Sequence, residues 1–392
     1  MRVLLFTGKG GVGKTTASAA TAALAASRGR KTLVISTDPA HSLADALGVP
    51  LGPEPTEVDT GLYGMQVDAQ RAFERTWRDV QSYLLVVLER AGVDALQAEE
   101  LTVLPGAEEV LALLEVRKQV QSGLWDLVVV DCAPTGETLR LLALPEALNW
   151  YVEKVFPAQR RALRAVRPLL SRVAGPAVPA DGVFDAVEKL HRELGEVRRV
   201  LTSPETSVRL VLTPEAVVVA EARRTLTSLA LYGYRVDGLV ANRVFPSGDS
   251  WRDGWVAAQS AQLESVRADV APLPVLESPY LPSEPVGLDA LTALGLQLYA
   301  EGDPAAETSG AELLDLERTS DGFVLSLSLP LARRSDVDLA RSGDELVVTV
   351  GGHRRVLALP SALRRCVVAG AVLTGGRLAI RFEPDPDLWM RT

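Results

Sequence analysis

The sequence predicts an α/β protein: a doubly wound, mostly parallel sheet with a helical subdomain, followed by a C-terminal all-β sandwich. Three observations carry this. From Met1 to about Glu301, short runs of consecutive Val, Leu and Ile alternate with longer helical patterns, as expected of a parallel sheet covered on both faces. Beyond Arg318 the hydrophobic period switches to two, as in strands with one buried face. Between these patterns lies Gly302 to Glu312, small, polar and containing Pro and Gly, the composition of a linker. The expected division is 1–301 for the α/β domain, 302–317 for the linker, 318–386 for the sandwich and 387–392 for a tail.

In the first domain, strands are expected at Val3–Thr7, Thr32–Ser36, Leu127–Asp131, Ser207–Leu212 and Val236–Asn242, where apolar residues run on consecutive positions. Thr16 to Ala26 reads as a helix of small residues, suited to close packing on the sheet. Trp77, Val80, Leu84, Val87, Leu88 and Ala91 recur at helical spacing, as do Leu113, Val116 and Val120. Leu148 to Val173 and Asp181 to Val200 are further helical stretches. In the second domain Phe323, Leu325, Leu327 and Leu329 alternate, then Leu346, Val348 and Val350, then Leu378, Ile380 and Phe382. Ser342-Gly343-Asp344, Gly351-Gly352 and Gly375-Gly376 supply the turns between them.

Composition narrows the function classes. The chain has 392 residues, 47% hydrophobic and 23% charged, which excludes a disordered or collagen-like protein. A net charge of -9 argues against nucleic acid as a partner, because phosphate binding needs a basic face. Cys132 and Cys366 form no disulfide framework or CxxC pair, and His41, His191 and His353 are far apart. No zinc site is therefore expected. The apolar run at the N-terminus is too short for a secretory signal, and no stretch has the length of a membrane span. A cytoplasmic protein is the expectation.

The chemistry sits in the loop after the first strand. Gly8-Lys9-Gly10-Gly11-Val12-Gly13-Lys14-Thr15 satisfies G-x-x-x-x-G-K-[ST] between a strand and a helix pattern. Glycines let backbone N–H groups turn inward around phosphate oxygens, and the following helix, opening at Thr16, adds its N-terminal dipole. Lys14 supplies a cation to the β- and γ-phosphates and Thr15 a hydroxyl for Mg²⁺. Leu127-Val128-Val129-Val130-Asp131 is an apolar strand ending in an acid, which places Asp131 at the same Mg²⁺. Asp38, at the carboxyl end of the second strand, is expected to face the γ-phosphate and orient or deprotonate the attacking water. The alternative for Asp38-Pro39 is an ordinary turn. ATP and Mg²⁺ are the ligands these residues imply.

Lys9, a second lysine inside the loop, brings in a resemblance. GKGGVGKTT resembles the deviant Walker A of the MinD/nitrogenase-iron-protein class of P-loop ATPases. That resemblance implies a face-to-face homodimer in which Lys9 reaches the partner's nucleotide. Ser36-Thr37-Asp38-Pro39-Ala40-His41-Ser42-Leu43 and Asp131-Cys132-Ala133-Pro134-Thr135-Gly136-Glu137-Thr138-Leu139-Arg140-Leu141-Leu142 narrow the class. They resemble the arsenite-pump ATPase family, which also contains the targeting factors for tail-anchored membrane proteins. Leu104-Pro105-Gly106, Thr213-Pro214-Glu215, Val240 to Pro246 and Pro279 to Leu291 follow in the family's order, so the resemblance covers about Met1 to Tyr299. It implies that Asn242 reads adenine, that Pro279 lies in the nucleotide-side loop, and that Asp38, Pro39, Asp131, Pro134, Thr135 and Gly136 act as switch residues.

Departures from the family bear on function. Only one P-loop is present, so a second copy must complete the site. No thiol cluster is apparent to bind arsenite, a soft metalloid that takes soft thiol ligands. The CxxC zinc clasp and a methionine-rich client surface are missing, and Glu137 stands where many relatives carry histidine. Asp336-Val337-Asp338-Leu339, Gly343-Asp344-Glu345-Leu346, Leu359-Pro360 and Ala371…Gly376-Arg377-Leu378 resemble the α-crystallin domain of small heat-shock proteins, with Leu388-Trp389-Met390 in place of a clear I-x-I tail. The resemblance implies an ATPase whose cycle opens and closes a hydrophobic site for helical client proteins. Trp77–Ala91, Val110–Val120 and Leu148–Val173 are the candidate groove. The alternatives are an ATPase subunit of an arsenite or oxyanion pump, with a membrane-protein partner, and a nucleotide-gated scaffold.

Overall fold

A computed structural model describes residues 1–38, 42–67, 107–133, 192–248, 250–306 and 312–388. Its centre is a sheet of eight strands: β1 (Arg2–Thr7), β2 (Thr32–Ser36), β3 (Thr56–Asp59), β4 (Leu62–Gln66), β5 (Leu127–Asp131), β6 (Thr206–Leu212), β7 (Val236–Val244) and β8 (Val275–Pro279). Their order is β3-β4-β2-β5-β1-β6-β7-β8. Every pairing is parallel except β3 with β4. β1, β2, β5 and β6 are buried at every position, which is why they read as unbroken apolar runs. The chain reverses its direction across the sheet at β1, between β5 and β6, and the loop after β1 opens at that switch point.

Among the described residues, the helices that accompany this sheet are α1 (Lys14–Ser27), α2 (Ser42–Leu47), α3 (Ala107–Gln121), α4 (residues 192–201), α5 (Ala216–Tyr232), α6 (Asp253–Val270) and α7 (Leu288–Tyr299). α1 is almost wholly buried, and its small side chains admit α7 closely. A Cβ on Gly295 would lie 2.7 Å from the Ala20 carbonyl oxygen, so only glycine fits that crossing. The candidate groove segments Trp77–Ala91 and Leu148–Val173 lie outside the described residues. In α3, the third candidate segment, Leu113, Val116 and Val120 are buried in the main core, where their apolar stripe packs.

Beneath the sheet is a buried charge cluster. Asp237, fully enclosed, accepts from Arg2 Nη2 at 3.0 Å, Ser207 Oγ at 2.6 Å and Arg209 Nε at 3.2 Å. Arg209 also donates to the Tyr299 hydroxyl at 2.8 Å, which lies 2.8 Å from Thr21 Oγ1. One carboxylate, two guanidinium groups and three hydroxyls thus tie β1, β6, β7, α1 and α7 together.

The C-terminal part forms two antiparallel sheets, β14-β15-β10-β9 and β11-β12-β13. These comprise β9 (Leu314–Arg318), β10 (Phe323–Ser328), β11 (Val337–Ser342), β12 (Glu345–Val350), β13 (His353–Ala358), β14 (Cys366–Thr374) and β15 (Arg377–Pro384). The alternating residues Leu325, Leu327, Leu346, Val348, Val350, Leu378, Ile380 and Phe382 all enter its core. The expected linker 302–317 needs correction at both ends. β9 begins at Leu314 and pairs with β10, its short polar sequence being held by the ladder rather than by burial. Residues 302–306 are fastened to the first domain by Arg30–Asp303 at 2.5 Å, Arg28 Nη1 to the Gly302 carbonyl at 2.6 Å, and burial of Ala305.

The two parts share a helix. The second half of α5, Thr225 to Tyr232, is buried all round. One side faces the large sheet, and Leu231 enters the sandwich core. Gly233 ends the helix in the left-handed conformation. Arg355 of β13 donates to the Leu231 carbonyl at 2.5 Å, a cation placed at the negative end of a helix. Thr227 Oγ1 donates to the Pro330 carbonyl at 2.6 Å.

Candidate functional site: a phosphate loop and an adjoining cleft

The loop Gly8–Gly13 joins β1 to α1, and Lys14 is held inward, 6% exposed, with Nζ donating to the Lys9 carbonyl at 3.4 Å. Gly13 adopts φ +92, a left-handed turn that aims α1 at the loop. Asn242, at the carboxyl end of β7, donates from Nδ2 to the Val12 carbonyl at 2.8 Å and accepts from the Arg243 N–H at 2.9 Å. The residue assigned to adenine by resemblance thus also clamps the phosphate loop from the neighbouring strand.

Thr15 Oγ1 donates to Asp131 Oδ2 at 2.8 Å and lies 3.0 Å from Ser42 Oγ. Ser36 Oγ donates to the same carboxylate oxygen at 3.4 Å. Asp131 is fully buried, and burial pushes its carboxyl up to about 7, against the pull of the Thr15 hydroxyl and the Lys14 ammonium. The other carboxylate oxygen, Oδ1, is buried without a hydrogen-bond partner. A buried acid with one orphaned oxygen beside a threonine hydroxyl has the donor set for a hydrated divalent cation. Mg²⁺ therefore fits Thr15 and Asp131.

Asp38 follows β2, half-buried, and its charge also raises the Asp131 carboxyl. Its N–H donates to Ser36 Oγ at 3.3 Å. Pro39, Pro134, Thr135, Gly136 and Glu137 lie outside the described residues.

Lys9 points elsewhere. Its ammonium is 3.8 Å from Glu221 of α5 and 42% exposed. Glu221 has no motif of its own and was not legible in the sequence.

Thr16, Asn242 and Pro279 are brought together around one cleft of about 420 Å³, with Arg243, Tyr280 and Glu284 also lining it. Tyr280 stacks on Phe245, ring centres 5.0 Å apart and planes at 12°. The sequence reading gave these aromatics no role, although Phe245 lies within its Val240 to Pro246 block and Tyr280 directly follows Pro279. The cleft adjoins the phosphate loop through Thr16 and Asn242.

Comparison with known proteins shows the family of the chain. Residues 1–300 match the anion-transporting ATPase family, and residues 320–382 match an HSP20-like domain found in its ArsA members. An uncharacterized protein of Streptomyces coelicolor is 41% identical over the full length of both chains. A putative arsenical pump-driving ATPase of Chlorobaculum tepidum is 35% identical over 98% of this chain and 96% of its own. An ATPase ASNA1 homolog of Cryptosporidium parvum is 32% identical over 67% of this chain and 72% of its own. The chain is an ATPase that belongs to the anion-transporting ArsA family and carries that family's HSP20-like C-terminal domain.

Proposed function

We propose that this ATPase works as a homodimer in which each nucleotide is held by one subunit and completed by Lys9 of the other. The observation that carries the reading is the direction of Lys9: its ammonium lies outside its own loop, against Glu221, while Lys14 turns inward. Lys14 and the loop amides hold the phosphates, Thr16, Asn242 and Pro279 face the base, and Thr15 with Asp131 holds Mg²⁺. When bound, Mg²⁺ neutralises charge on the β- and γ-phosphate oxygens. Asp38 orients the attacking water and takes up its proton.

The cycle is proposed to open and close a hydrophobic site for helical client proteins. The arsenical-pump reading, which the names of relatives favour, meets a chemical obstacle. Metalloid binding needs thiolates, but both cysteines are buried, and burial pushes the Cys132 thiol up to about 12.

A mixing experiment tests the trans lysine. Lys9→Ala and Asp38→Asn are each expected to be nearly inactive as pure dimers. Mixed, they form heterodimers with one intact site, restoring about a quarter of wild-type turnover when subunits pair at random. No restoration would sink the assignment. Asp38→Asn purified with ATP should retain proteins bearing exposed hydrophobic helices. Recovery of a clean dimer, or turnover stimulated by arsenite, would move the function to a scaffold or a pump.

A further inference from the structure

We infer that Gln259, on α6 and outside the nucleotide cleft, is a positioning residue for nucleotide-base binding. The inference rests on the reading of the cleft beside Asn242 as the base pocket. The pairing of β7 with β8 is regular from Leu239 with Val275 to Ala241 with Glu277, and resumes at Val244 with Pro279. β7 advances by three residues where β8 advances by two, so one extra residue bulges out at Asn242-Arg243. Arg243 takes φ +59, left-handed backbone that a non-glycine residue adopts only when its surroundings impose it.

The bulge leaves ladder groups without strand partners, and one side chain takes both. The Gln259 amide accepts from the Phe245 N–H at 2.7 Å and donates to the Arg243 carbonyl at 3.1 Å. It is 8% exposed and does not line the cleft. What it fixes does line it. On one side of the staple, Asn242 reaches the phosphate loop at Val12. On the other, Phe245 backs the Tyr280 ring at the cleft wall. A primary amide suits this task because it offers one acceptor and one donor in a plane. Gln259 thus holds the strained corner from which the base-facing groups project, without touching the nucleotide.

The test uses the full-length protein and steady-state hydrolysis of ATP and GTP. Gln259→Leu removes both hydrogen bonds. It should raise KM for ATP about tenfold, narrow the preference for ATP over GTP, and change kcat by less than about twofold. Gln259→Glu keeps the acceptor for the Phe245 N–H and should give an intermediate KM, which also covers a Leu variant that fails to fold. In the Asn242→Ala background, Gln259→Leu should add little, since both act on one corner. An unchanged KM and base preference with a lowered melting temperature would reduce Gln259 to packing and overturn the inference. So would full additivity with Asn242→Ala. If Asn242→Ala itself leaves KM and base preference unchanged, the base-pocket reading fails, and the inference falls with it.

Discussion

Gly13→Ala isolates the contact between the phosphate loop and β7. Gly13 sits at φ +92 with its Cβ direction aimed at Asn242, where an added methyl would lie 2.1 Å from Nδ2. Ordinary contact needs more than about 3.4 Å, so Asn242 must withdraw by more than an ångström. Its amide is tied on both sides, to the Val12 carbonyl and the Arg243 N–H, so withdrawal breaks a hydrogen bond costing about 1 kcal/mol. The left-handed backbone costs an alanine about 1–2 kcal/mol more. Together, about 2–3 kcal/mol opposes the cradle conformation, a loss of roughly 30- to 150-fold in ATP affinity if the empty loop relaxes. Titration calorimetry on the purified protein reads this directly. Repeating it on Asn242→Ala removes the clash and leaves only the backbone term, about tenfold. An affinity within threefold of wild type, or an equal loss in both backgrounds, would refute the reasoning.

Two further outcomes follow from burial. Asp237→Asn removes the buried carboxylate on which Arg2 and Arg209 converge and should destabilise the protein by about 3–5 kcal/mol. Thermal unfolding followed by circular dichroism should show a midpoint lowered by on the order of 10 °C; a change of a degree or two would mean the cluster is hydrated. Cys132 and Cys366 are 3% and 1% exposed, so a chromogenic disulfide reagent should titrate no thiol in the native protein and both in denaturant. One reactive thiol in the native state would place a cysteine at the surface.

The parts of this molecule that were legible in the sequence are those where burial and covalent pattern coincide. β1, β2, β5 and β6 are buried on both faces, so their apolar runs are unbroken. The phosphate loop is a local motif whose partners in α1 follow at once. β8 was missed because Val275-Leu276-Glu277-Ser278-Pro279 is only half-buried and polar in its middle, and β3 because Thr56-Glu57-Val58-Asp59 is mostly exposed. β14 carries Val367, Val368 and Val372 outward, which erases the alternation that revealed β10, β12 and β15. At the site, Thr15 and Asp131 were legible because each closes a motif. Glu221 and Gln259 were not, because each acts through a neighbour that only the folded chain supplies: the outward turn of Lys9, and the bulge at Arg243.

The helix shared by the two domains changes what deletion of the C-terminal domain means. α5 carries Glu221, the partner of Lys9, in its first half and Leu231, a member of the sandwich core, in its second. A chain ended in the linker would lose the Arg355 cap and uncover an apolar wall on the ATPase domain, while an excised sandwich would have a hole where Leu231 stood. Neither fragment is a neutral version of the part it represents. Loss of turnover or solubility on truncation therefore reports a torn helix before it reports the duty of the missing domain. Strands of both sandwich sheets, β10 and β13, pack on α5, so point changes at outward positions such as Val372 of β14 are the ones that avoid that confusion.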